Sequence, residues 1–381
     1  MVQLFTVSGG NYMDFSQLEN MARLVSNNIR FPDRLQNTHL IPEGFGQPGD
    51  VVAVQVEKVG AYPQQLTLKN EPVSIHESDV LIGVLGRRES GTSIAGDIPQ
   101  QGIELQEGTY LDILSSSTII GRARHVPEFL GTHATEVRFL GFLAEHSNPV
   151  NLKDITPYAW QDHYTGESPV VLALGSSAEC GKTTLVGKLT QLFRQQGLAV
   201  AAIKTNGSGN VRDRASMMQA GADFVLDFPD IGLVTTYALP PQEYLRAAKG
   251  LFTEASKAGA DVILAECGGD VMWGNVPALL ADTEITRHVV GAVMASRDFM
   301  GAYGAFSYVR GLGFSAPIFF GTPIQTETFY RRPSFEALVG SRVFDIMDPA
   351  QGRELADRLA GNIRPTKLQI PEHAEPSFVT G

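Results

Sequence analysis

The run Val170-Val171-Leu172-Ala173-Leu174-Gly175 is short and apolar, breaks into Ser176-Ser177-Ala178-Glu179-Cys180, and ends in Gly181-Lys182-Thr183-Thr184. It reads as a buried strand feeding a phosphate-binding loop. The pattern G-x-x-x-x-G-K-[ST] calls for glycine where this chain has Ser176, and Gly175 stands one place earlier. In such a loop the backbone N–H groups and the start of the next helix surround phosphate oxygens. The candidate nucleotide contacts are therefore Ser177, Ala178, Glu179, Cys180, Gly181, Lys182, Thr183 and Thr184. Lys182 reads as an exposed loop cation on the phosphates, and Thr183 offers a hydroxyl to Mg²⁺. Leu185, Leu189, Leu192 and Phe193 then recur at helical spacing, and Gly197 closes the helix. The plain alternative is a glycine turn before a surface helix with a chance Lys-Thr pair. It leaves the succession of strand, loop and helix unexplained.

Around this segment the chain divides by texture. A length of 381 residues exceeds one ordinary core, and 43% hydrophobic residues suffice to fill more than one. Residues 1–155 read as an N-terminal helix and a β-rich domain. Asp14-Phe15-Ser16-Gln17 forms a capping box, and Phe15, Leu18, Met21, Ala22 and Val25 mark one helical face running out near Asn27-Asn28. From Gly49 to about Leu152, brief apolar runs at 51–56, 66–68, 80–85, 103–105, 118–120 and 137–143 alternate with turn residues, predicting a small antiparallel sandwich or barrel. Within it Gly86-Arg87-Arg88-Glu89-Ser90-Gly91-Thr92-Ser93 reads as a solvated hairpin tip, the alternative being a loop that reaches a ligand anion. Residues 156–168 are irregular and aromatic, a linker packed onto a domain surface, with His163 a hydrogen-bonding surface residue.

Residues 169–360 alternate strands (199–203, 224–227, 261–266, 289–295, 317–320, 343–346) with helices (212–220, 241–258, 299–312, 333–339, 349–359), and 361–381 form a tail. This is an α/β pattern with a mostly parallel sheet and crossover helices, which places the ligand at the carboxyl ends of the strands. Four further strand ends thus become candidates. Lys204 ends an otherwise apolar run and can meet a phosphate or an anionic substrate, or form a rim salt bridge. Asp213, at the next helix start, is an N-cap or a carboxylate aimed at Mg²⁺. Glu266 ends the run Val262-Ile263-Leu264-Ala265 and is followed by Cys267-Gly268-Gly269-Asp270, placing an acid where a metal is expected. Arg297 and Asp298 contact base, ribose or substrate, or cap a helix. Thr322 and Pro323 follow another strand, at a place where such folds hold a purine. Cys180 and Cys267 read as buried small residues rather than a reactive thiol or a soft metal site.

The net charge of −11 argues against nucleic acid or an acidic membrane surface as the main partner. The two cysteines fit a reducing compartment, and with no run of eighteen apolar residues and no basic, apolar leader a cytoplasmic location is expected.

Residues about 168 to 325 resemble the dethiobiotin synthetase-like branch of P-loop NTPases, which includes the MobB-type nucleotide-binding proteins. The resemblance is carried by Ser176 to Thr184, by Lys204, and by Glu266-Cys267-Gly268-Gly269, which looks like that family's Glu-Gly-Ala-Gly-Gly. With Ala220-Gly221-Ala222-Asp223 and Leu226-Asp227-Phe228, it extends to bacterial P-loop proteins that carry an N-terminal β domain. Ser176 and Cys267 depart from the family pattern. The resemblance implies a P-loop NTPase domain preceded by a small β-rich domain, with ATP and Mg²⁺ as cofactors. Lys182 would bind phosphate, Thr183, Asp213 and Glu266 would surround Mg²⁺, and Lys204 would hold the substrate or γ-phosphate. The expected activity is phosphoryl transfer to a small-molecule carboxylate, amine or carbamate by a homo-oligomeric ligase or kinase, with Lys182, Lys204 and Glu266 catalytic. The alternatives are a nucleotide-dependent switch or metal-delivery NTPase acting through a protein partner, and an acyltransferase on the same fold. No Asn/Thr-Lys-x-Asp occurs, which favours ATP over GTP.

Overall fold

A computed structural model describes residues 6–7, 11–89, 93–322, 328–361 and 363. The capping box at Asp14 is formed: its carboxylate accepts from the Gln17 amide at 2.8 Å, and the Gln17 side chain accepts from the Asp14 amide at 3.3 Å. The helix it starts, Phe15–Met21, is shorter than its apolar spacing suggests. Ala22–Val25, expected to continue it, is instead a strand paired in parallel with Val80–Leu85. The free sheet edge satisfies the backbone groups of this segment, and that ladder overrides a spacing compatible with either state.

Five strands close a barrel in the order Val51–Lys58, Val80–Leu85, Ile119–His125, Tyr110–Ile113 and Thr135–Glu145. Four of its joints are antiparallel, while Ile119 and Ile120 pair in parallel with Val84 and Leu85 to complete the ring. Neighbouring residues along a strand fall into different cores: Val52, Val54, Leu81 and Phe139 into one, Val51, Ala53, Ile82 and Leu140 into the other. That is why these strands read as continuous apolar runs, with both faces covered.

The second half is built on a seven-stranded sheet, parallel throughout. Its order is Phe224–Asp227, Val200–Lys204, Val262–Glu266, Val170–Gly175, Val289–Ala295, Ile318–Thr322 and Val343–Asp345. Val171 and Ala173 face the helices Lys182–Gln195 and Pro349–Ala360, whereas Val170, Leu172 and Leu174 face Pro241–Lys257 and Phe299–Gly311. The first helix buries Leu185, Leu189 and Phe193, each worth about 1.5–3 kcal/mol of transfer free energy. Gly197, at φ +81°, ends it in the left-handed conformation that glycine adopts without penalty.

The halves are packed together. Between them Trp160 donates its indole N–H to the Ile231 carbonyl at 2.9 Å, and His163 is exposed beside Glu284. Val234, from the second half, is buried in a barrel-side core. A side chain at Gly209 would have to displace Asn28, because its Cβ would fall 1.9 Å from Asn28 Oδ1. Arg30, 3% exposed, crosses from the barrel half to Asp227 at 2.5 Å.

Candidate functional site

The loop after Val170–Gly175 is shaped by close approach. A Cβ on Gly175 would lie 2.7 Å from Cys180 Sγ and 2.8 Å from Lys182 Nζ, so a side chain here would have to push both aside. Ser176 has no positive φ and needs none; its hydroxyl donates to Ser296 Oγ at 2.9 Å. The glycine offset seen in the sequence therefore has a steric cause. The loop turns through two left-handed residues, Glu179 at φ +57° and Gly181 at φ +102°.

Lys182 is not the exposed cation that the sequence suggests. It is 5% exposed, and its ammonium donates to the carbonyls of Ser177, at 2.7 Å, and Gly269, at 2.5 Å. Gly175→Ala is expected to displace this ammonium and weaken Mg²⁺–ATP binding about tenfold or more by calorimetry, because a crowded close-packed site relieves itself by moving its neighbours. An unchanged affinity would mean that the loop tolerates the methyl group.

Parallel strands ending on one rim bring the other candidates together. Lys204 stands in register with Glu266 on one neighbouring strand and with Asp227 on the other. Its ammonium pairs with Asp213 and lies 3.6 Å from Glu266 Oε1. Thr183 Oγ1 is 3.0 Å from Asp213 Oδ1 and 3.1 Å from Glu266 Oε1. Asp213 is not the helix cap: Asn210 caps Val211–Gln219, leaving the Asp213 carboxylate for Lys204 and Thr183.

Burial alone would lower the Lys204 pKa, but Asp213 and Glu266 outweigh it and hold it above the ordinary lysine value. Asp213, which burial would raise, is pulled down by Lys204. Glu266 is pushed up by burial, against the pull of Lys204. Its Oε2 is buried and has no hydrogen-bond partner. An orphaned carboxylate oxygen beside a threonine hydroxyl and a second carboxylate is the oxygen-rich donor set that Mg²⁺ takes, with waters and phosphates filling its remaining positions. No group of three or more His, Cys, Asp or Glu able to hold a metal occurs among the described residues.

The remaining candidates divide. Ala178, Glu179, Gly181, Thr183 and Thr184 line a cavity of about 400 Å³ over the loop, together with Lys182, Lys204, Asp213 and Glu266. Cys180 faces inward, its thiol 3.3 Å from the Ala295 carbonyl. The Cys267 thiol is pushed up to about 12 by burial, which makes it an inert core group. Gly268 allows the chain to pass Asn206, whose carbonyl would lie 2.0 Å from an added Cβ. Asp298 caps Phe299–Gly311, and Arg297 pairs with Glu179 at 3.4 Å. Thr322 ends its strand, and Pro323 lies outside the described residues.

Among the lining residues not singled out in the sequence as site residues are Arg88, Arg212 and Tyr237. Arg88 comes from the loop read as a solvated hairpin tip, whereas Arg212 and Tyr237 carry no motif at all. The signal for Arg88 was an arginine just after a fully buried strand, beside a glycine-rich turn.

This strand order, with a lysine-threonine loop between the central strand and its helix, is the fold of a P-loop NTPase. Among solved structures the chain is similar to a DUF1611 family protein from Anabaena variabilis, at 14% identity and a TM-score of 0.38, over 57% of this chain and 66% of that one. It is similar to the signal recognition particle 54 kDa protein from Aeropyrum pernix in complex with GDP, at 18% and 0.36, over 55% of this chain and 50% of the other. It is also similar to the kinase domain of the Escherichia coli tyrosine kinase ETK, at 15% and 0.30, over 42% and 69%. No protein-family model matches the sequence, and no curated protein matches it. No helix among the described residues is long and apolar enough to cross a membrane.

Proposed function

We propose that this chain binds Mg²⁺–ATP over the phosphate loop and transfers the terminal phosphoryl group to a small acceptor, a carboxylate, amine or carbamate, as a ligase or kinase does. The observation that carries this reading is the position of Lys204. It sits between two carboxylates beside the loop, in a cavity whose lining also includes Arg88 and Tyr237 from outside the loop. In the step, an acceptor atom bonds to the γ-phosphorus as the bond from phosphorus to the ADP oxygen breaks. Thr183, Asp213 and Glu266 would hold Mg²⁺, which when bound supplies positive charge at the phosphate oxygens. Lys182 and the loop amides orient the phosphates, and Lys204 faces the oxygens on which negative charge redistributes. The likeness of Glu266-Cys267-Gly268-Gly269 to the dethiobiotin synthetase-like motif supports the same class of acceptor. The absence of Asn/Thr-Lys-x-Asp supports ATP.

Lys182→Ala tests the nucleotide half of this reading. Removing a cation that also anchors two carbonyls is expected to weaken Mg²⁺–ATP binding at least about 100-fold, at a stability cost of about 1–3 kcal/mol. Equal ATP affinity in parent and variant, by titration calorimetry, would remove the loop from the binding site.

A second reading, an NTPase acting through a protein partner, is favoured by one feature. Met272 and Trp273, 52% and 63% exposed, follow directly on the turn whose Gly269 carbonyl accepts from Lys182. ADP release measured across a panel of metabolite carboxylates and amines separates the two: stimulation by a small molecule supports transfer, and stimulation by none supports the partner reading.

A further inference from the structure

Each carboxylate lining the cavity already has a partner. Asp213 and Glu266 are engaged by Lys204 and Thr183, Glu89 by Arg87, and Glu179 by Arg297. Two guanidiniums remain, Arg88 from the barrel half and Arg212 from the second half, and neither forms an ion pair with a carboxylate among the described residues. Arg88 is held in place: its Nη2 donates to Ser93 Oγ at 2.7 Å, and Ser93 in turn bonds the Tyr62 hydroxyl at 2.8 Å. Its Nε is buried without a partner. Burial lowers its pKa, ahead of the opposing effect of Tyr62 and Tyr237, with Arg212 the smallest contributor to the lowering. A desolvated arginine fork with an unused donor, fixed by a serine-tyrosine relay in a cavity that a second unpaired guanidinium also lines, suits an oxyanion.

We infer that Arg88 and Arg212 form the subsite for a carboxylate of the second substrate, so that the acceptor is an anionic small molecule bridging the barrel and the phosphate loop. The inference rests on the phosphoryl-transfer reading for the order of events, though not for the subsite itself. In this arrangement the barrel half supplies acceptor recognition, and the loop half supplies the nucleotide. Arg88 is a binding residue, and Ser93 and Tyr62 position it.

The test uses the full chain with Mg²⁺ and a non-hydrolysable ATP analogue at saturation, and malonate, succinate and glutarate as probes, against chloride at equal ionic strength. At least one dicarboxylate is expected to bind the parent by calorimetry and raise its Tm. Arg88→Met and Arg212→Met should each weaken that binding about tenfold or more, with analogue affinity within about threefold of the parent. Arg212 is exposed, so its variant keeps the test decisive if Arg88→Met fails to fold. The inference is overturned if no dicarboxylate binds the parent, or if the variants bind it as well as the parent does. It is also overturned if the variants lose the triphosphate analogue but not ADP, which would place the guanidiniums on the terminal phosphate. Should the parent bind no analogue, the nucleotide reading fails on its own, and the same dicarboxylate titrations without nucleotide still decide the subsite.

Discussion

Lys204→Met is expected to reduce turnover by about 10²–10³ while changing Mg²⁺–ATP affinity less than about tenfold, the split produced when a group interacts more strongly with the transition state than with the ground state. The reason lies in where the ammonium is held. Asp213 and Glu266 fix it from two sides on the strand rim, so it is oriented before the nucleotide arrives and needs no reorganisation during the transfer. Methionine keeps most of the stem and removes the charge. The same change leaves Asp213 and Glu266 without their shared cation, so a lower Tm is expected as well, and turnover must be measured well below it. Equal losses in affinity and turnover would make Lys204 a simple binding cation. No loss of either would reduce it to a rim salt bridge.

Arg30→Met is expected to cost about 3–5 kcal/mol of stability, the usual consequence of stranding a buried charge. Arg30 Nη2 bonds Asp227 Oδ2 at 2.5 Å, with Nε 4.0 Å from Asp230 Oδ1, while Arg214 bonds Asp230 Oδ2 at 2.6 Å. Two arginines and two aspartates thus meet where the barrel packs on the parallel sheet. Without Arg30, a single arginine faces both acids.

The loss should also depend on pH. Burial, then the Asp227 charge, push the Asp230 pKa from 3.8 to about 7, against the pull of Arg214 and Arg30. A carboxyl with a raised folded pKa contributes stability that is fully present below about pH 4 and is lost as pH rises through about 7. Removing Arg30 raises that folded pKa further. The gap between parent and variant should therefore widen from pH 5 to pH 8 in denaturant unfolding, and a gap independent of pH would mean that Arg30 acts through packing alone.

Local chemistry determined much of this protein. An apolar run broken by small residues and closed by Gly181-Lys182-Thr183 can do little else than end a buried strand in an anion-binding loop. Parallel crossover topology then requires that residues ending neighbouring strands share one rim, so Lys204 and Glu266 could be brought beside Thr183 on paper. Even the displaced glycine was visible at Gly175, though its cause, contact with Cys180 and Lys182, was not. Tertiary structure alone decided the fate of Ala22–Val25, whose spacing suits a helix or a strand and which a free sheet edge drew into the ladder. It alone decided that Lys182 is buried, since the Gly269 carbonyl that holds it comes from a distant strand end. The same holds for the cavity's far wall. Arg30 lies in the barrel half and meets Asp227 in the other half, and Arg88 reaches the cavity over the loop, only because the two halves pack together there. The pattern of a sequence encodes which face of an element is buried, but a charge paired across such a junction leaves no periodicity to read.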